Sequence, residues 1–82
     1  MGLDTVELII AFEERFGISI PNNEAARLTT PRRVTYYIMH RGANGGMSRE
    51  QVAAAVRRVI EKQTGTYDFS EDDHFVDDMH LD

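Results

Sequence analysis

Cysteine is absent, so neither a disulfide framework nor a thiolate metal site is available to this chain. The lack says little about compartment, but it suits a reducing cytosol, and a cytoplasmic location is the expectation. Long apolar runs are missing too. The longest, Leu8-Ile9-Ile10-Ala11-Phe12, is far too short to span a bilayer. No basic stretch followed by a long apolar core opens the chain, so no secretory signal is expected. Lys and Arg stop at Lys62, whereas Asp68, Glu71, Asp72, Asp73, Asp77, Asp78 and Asp82 place seven negative charges beyond it, within a formal net charge of −5. A surface of that sign repels nucleic-acid phosphates and anionic lipid. It fits a protein partner with a basic patch, or a solvated acidic tail kept for solubility. Enzyme signatures are lacking as well. There is no G-x-S-x-G elbow, glycine-rich phosphate loop or H-E-x-x-H pair, and His40, His74 and His80 have no nucleophile at motif spacing. Eighty-two residues make one domain with a modest core and little room for a substrate pocket, so no enzymatic activity is expected.

Helical periodicity is what the chain does have. Leu3, Val6, Ile9, Ile10, Phe12 and Phe16 recur at helical spacing from about Asp4 to Phe16, with Asp4 and Glu7 placed as a capping box and Gly17 as the stop. Ile18-Ser19-Ile20-Pro21 reads as an extended connector, because proline disfavours helical geometry in the residue before it. Asn22 or Asn23 can cap a short helix through Ala25, Ala26 and Leu28. Thr30-Pro31 starts the next, a hydroxyl cap followed by a proline whose missing amide proton costs nothing there. Val34, Tyr37, Ile38 and Met39 supply its buried stripe, and the glycines of residues 42–47 make a linker. Ser48 with Gln51 is a second capping box, ahead of Val52, Val56, Val59 and Ile60 on one face of a helix that Thr64-Gly65 ends. Thr66–His74 reads as a loop pinned by its aromatics, and Phe75–Met79 as one helical turn. The pattern predicts an all-α domain, a small bundle of three amphipathic helices and one short one that must hold each other up by packing.

Two blocks of residues resemble the acyl carrier protein family. Leu3-Asp4-Thr5-Val6-Glu7-Leu8 resembles the residues just after the serine of that family's D-S-L motif. Phe12 through Pro21 is similar to the end of its second helix and the connector after it. Asn22–Leu28, Thr29-Thr30 and Val34–Ile38 resemble its third helix, threonine pair and fourth helix. Further on, Val52–Gln63 with Gly65 resembles the first helix, and Phe75-Val76-Asp77-Asp78-Met79 the anchor of the long first loop. The resemblance implies a four-helix acyl-carrier-like bundle in permuted order. Family helices two to four would fall in residues 3–41, a glycine-rich linker in 42–47, and the first helix with its acidic loop in 48–82. Joined tail to head with Met1 set aside, Gly2 takes the serine position, flanked by Asp82 and Leu3. Compact domains tolerate such a rotation where the new termini are exposed. The alternatives are that the C-terminal match is chance and 48–82 is an unrelated helix with a tail, or that the chain is a piece of a tandem array.

The family esterifies phosphopantetheine to the serine that Gly2 would replace, so the resemblance implies the carrier fold without its covalent chemistry, and no cofactor is expected. 4′-Phosphopantetheine enters only if another residue serves as attachment point in a working carrier. Thr5 lies one turn into the helix, out of register with the motif, and Ser48 is better explained as a cap. The family's second helix docks on basic patches of partner enzymes, which implies a partner face at Asp4, Val6, Glu7, Ile10, Glu13 and Glu14, with Arg15 interrupting its acidity. For Val6 and Ile10 a core position is the stronger expectation, and for Glu7 capping is as good a reading as docking. A chain broken at the serine can also exchange segments, so either a monomer or a domain-swapped dimer is expected. Asp72, Asp73, His74, Asp77, Asp78 and His80 supply oxygen and imidazole ligands within nine residues, but not at EF-hand spacing, so a dedicated metal site is not expected.

Overall fold

The longest helix holds the rest together. In a computed structural model that describes residues 5–79, the elements are α1 (Thr5–Phe16), α2 (Asn22–Ala25), α3 (Pro31–His40) and α4 (Arg49–Thr64), with no strand among the described residues. The fold is all-α, as expected. Both α1 and α3 pack on α4. Val52, Val56 and Ile60 of α4, four residues apart, are fully buried and meet Leu8 and Phe12 of α1 and Val34 and Ile38 of α3 in one cluster. No described helix is long and apolar enough to cross a membrane.

The ends of these helices obey their sequence signals closely. Ser48 accepts from the Gln51 amide at 3.2 Å, while the Gln51 side chain accepts from the Ser48 amide at 2.9 Å, which completes the reciprocal cap. Thr30 accepts from the Arg33 amide at 3.2 Å, ahead of Pro31. Gly65 takes a left-handed φ of 72° and donates to the Glu61 carbonyl at 2.9 Å, a geometry that costs a side-chain-bearing residue energy. Gly17 is also left-handed after α1, at φ 66°. The short helix departs from expectation. Its N-cap is Pro21, not Asn22 or Asn23, and no side chain caps it. The Pro21 carbonyl accepts from Glu24 and Ala25 at 3.0 and 2.8 Å, so the backbone alone closes the turn. Regular helix ends at Ala25, short of Leu28.

The acidic segment after α4 is laid back over the bundle. Phe69 and Phe75 enter the core, and Tyr67 stays 66% exposed, so of the two aromatics expected to pin the 66–74 loop Phe69 does and Tyr67 does not. Arg57 of α4 donates to the Phe69 and Tyr67 carbonyls at 2.9 and 2.6 Å, with its guanidinium 4.1 Å from the Phe69 ring centre. Arg32 of α3 grips Asp72 through two bonds of 2.8 and 3.2 Å and pairs with Glu71 at 3.6 Å. The Phe75 amide donates to the Thr29 carbonyl at 2.9 Å, and Asp78 and Met79 both donate to the His74 carbonyl, closing one turn. Phe75→Ala should therefore cost about 3–5 kcal/mol and leave much of the chain unfolded, whereas Tyr67→Ala should stay within about 0.5 kcal/mol. Urea denaturation monitored by circular dichroism measures both.

Candidate protein-docking face

Helix α1 is apolar on more than one side, and packing chooses among those sides. Leu8, Ala11 and Phe12 turn toward α4 and are buried. Val6 and Ile10 are left 63% and 46% exposed, which corrects their expected place in the buried stripe. The reason is helical register: one face of α1 meets α4, and residues 8 and 12 occupy it, so residues 6 and 10 face away. Glu7 and Glu14 are exposed beside them. Positions 6, 10 and 14 succeed one another turn by turn, an apolar pair ending in a carboxylate.

Glu13 behaves differently. It is half-buried, and its carboxylate accepts from the Ile20 amide at 2.6 Å, tying the connector back to α1. Its backbone carbonyl also accepts from Ile18 at 3.1 Å. Arg15 lies with its guanidinium 5.2 Å from the Phe16 ring centre. Gly2, Leu3, Asp4 and Asp82 fall outside the described residues, and with them the Asp4 half of the capping box and the junction expected around Gly2.

Val6 and Ile10 border a groove of about 430 Å³ that is also lined by Ile9, Ile20, Ala25, Leu28 and Phe75. A smaller cavity of about 200 Å³ is lined by Thr5 together with His74, Phe75, Val76 and Asp77. The start of α1 and the end of the acidic segment thus border one space. Sequence reasoning placed Val6 and Ile10 correctly on α1 but missed Ile9, Ile20 and Phe75 as walls. Only the double apolar character of α1 hinted at a second face.

Two polar networks centre on the adjacent tyrosines of α3. The Tyr37 hydroxyl donates to the Glu24 carboxylate and accepts from Arg41 at 2.5 Å, linking α2 to α3. Burial, with the Glu24 bond, raises the Tyr37 phenol above the usual tyrosine range. Next to it, Tyr36 is half-exposed, with the Arg49 guanidinium 4.8 Å from its ring centre and bonded to its hydroxyl at 3.2 Å. Arg49, then Arg32, lowers the Tyr36 phenol. Among the described residues no three His, Asp or Glu side chains converge as metal ligands, and His80 lies outside them. Asp72 is engaged by Arg32, Asp73 accepts from the Ser70 amide and hydroxyl, and Asp78 accepts from the His74 amide at 2.8 Å.

The chain is similar to the acyl carrier protein of Campylobacter hominis, 48% identical over 43 residues that make up 52% of this chain and 54% of that protein. It therefore spans about half the length of this relative. No protein-family model matches the chain, and no solved structure does. The similarity and the all-α bundle together support an acyl-carrier-like chain.

Glu13→Ala should cost about 1–2 kcal/mol by leaving the Ile20 amide without its acceptor, as read from urea midpoints, and Glu13→Gln should cost less because one acceptor oxygen remains. Arg32 holds the Asp72 carboxyl below its ordinary value. Because the folded value is the depressed one, that pair's contribution is complete above the ordinary carboxylate range and fades as pH falls through the depressed value. Asp72→Asn should lower stability slightly at neutral pH, where the pair contributes fully, flatten the acid limb, and leave the most acidic region nearly unchanged, as read from urea midpoints across a pH series.

Proposed function

We propose that this chain is a non-catalytic, acyl-carrier-like domain that binds a protein partner through the exposed face of α1. The observation that carries the reading is the exposure of Val6 and Ile10 beside Glu7 and Glu14, an apolar pair within an acidic helix face. Such a face offers anchors for burial and charges that steer a basic partner. The candidate residues are Val6, Ile10, Glu7 and Glu14, together with Asp4, which lies outside the described residues. Glu13 contributes through the shape it imposes on the connector, since its carboxylate is already engaged. An enzyme of acyl or polyketide chemistry is the partner class that the carrier-family resemblance implies.

The permuted order belongs to this proposal. Its supports are the packing of α4 between α1 and α3, and the cavity that Thr5 shares with His74–Asp77, which brings the two ends of the described chain together. On this reading Gly2 stands in the attachment position between Asp82 and Leu3. No side chain among residues 1–4 or 80–82 bears a hydroxyl. The first hydroxyl of α1, Thr5, is half-buried and borders the cavity under residues 74–77. A phosphopantetheine ester needs an exposed hydroxyl there, and the residues present do not fit it.

A second reading, a working acyl carrier with an unusual attachment residue, is favoured by one observation, the apolar groove beside α1. Incubation with a broad-specificity phosphopantetheinyl transferase and coenzyme A, then intact-mass spectrometry, separates the two. No mass gain is expected. A gain of one phosphopantetheine arm would establish the second reading. The docking face is tested by capture of acyl-pathway enzymes from a lysate. Glu14→Arg and Ile10→Lys should each weaken capture roughly tenfold or more, and unchanged capture would place the interface elsewhere.

A further inference from the structure

The positive charge of this acidic chain is not all neutralised internally. Arg32, Arg41, Arg49 and Arg57 are each occupied by an acid, a tyrosine or a carbonyl. Arg27 and Arg33 are exposed and have no side-chain partner among the described residues. Both line the same open groove, about 640 Å³, formed by α3 and the α2–α3 connector, with Leu28, Tyr36, Met39 and His40. Among the described residues no carboxylate lines it. A basic, partly apolar groove on a chain of net charge −5 calls for an acidic occupant with apolar side chains.

The molecule displays that occupant itself. On α1, Val6 and Ile10 stand one turn apart and exposed, and Glu14 comes one turn later with no partner among the described residues. We infer that the α2–α3 groove receives the α1 face of a second copy of this chain, the apolar pair against Leu28, Met39 and Tyr36, and Glu14 toward Arg27 and Arg33. The inference rests on the reading of the α1 face as a docking surface. It adds that the groove imitates the basic patch of the partner, so that self-association and partner binding compete for one face. The contact joins two different surfaces, so it propagates head to tail or closes into a ring. Its charges are solvent-exposed, so it is weak and sensitive to salt.

Sedimentation velocity of the full chain over a concentration series, at low and high ionic strength, tests this. The expected result is an average mass that rises with concentration at low salt and returns to the monomer at high salt. Arg27→Glu with Arg33→Glu, and separately Glu14→Arg, should each weaken association roughly tenfold, with circular dichroism confirming that both fold. An equimolar mixture of the two variants should associate again, because each supplies the intact surface that the other lacks. A monomer at every concentration would overturn the inference. So would a dimer indifferent to salt and to both variants, which is the behaviour of exchanged segments. If Glu14→Arg abolishes partner capture while self-association is absent or unaffected, the inference fails and the docking reading stands. If Glu14→Arg alters neither, both fail.

Discussion

Burial of one face of α4 is the constraint on which the rest of this structure depends. Helices of twelve and ten residues, such as α1 and α3, are marginal alone and gain their stability by packing. Here both pack on α4, through Val52, Val56 and Ile60, which water does not reach. Once Leu8 and Phe12 are committed to that contact, Val6 and Ile10 must face outward, because residues two apart on a helix cannot share a face. The candidate docking face is thus a by-product of how the core is closed.

The acidic segment shows how a run of like charge can be folded without neutralising it. Two aromatic side chains, Phe69 and Phe75, supply the burial, and two arginines on α3 and α4 hold the backbone and a pair of acids in place. Among the described residues the remaining carboxylates of this segment face solvent or accept local amide hydrogen bonds. Arg32 and Arg57 are consumed in this task, whereas Arg27 and Arg33 are exposed and line the groove beside α3. The division of charge between the α1 face and the α2–α3 groove is set by where the arginines are engaged.

Much of this is legible in the sequence because the signals are local. A capping box at Ser48 and Gln51, a threonine–proline start at residues 30 and 31, and a glycine needing positive φ at residue 65 each rest on a few neighbouring atoms, and each is found. The Pro21 cap is not legible, since Asn22 and Asn23 offer better side chains, but the backbone carbonyl of Pro21 closes the turn without them. The inward turn of Glu13 cannot be read either. Its partner, the Ile20 amide, comes within reach only because Gly17 reverses the chain.

From its residues alone, this chain is committed to all-α structure, to helix ends near those observed, and to an acidic character that disfavours nucleic acid, because propensity, capping and net charge act over short range or by simple sum. Which apolar side of α1 is buried, which carboxylate is engaged, and where two arginines are left to gather were settled only in three dimensions. Those outcomes depend on which side chains a neighbouring helix happens to cover, and a periodic pattern with two apolar sides does not specify that.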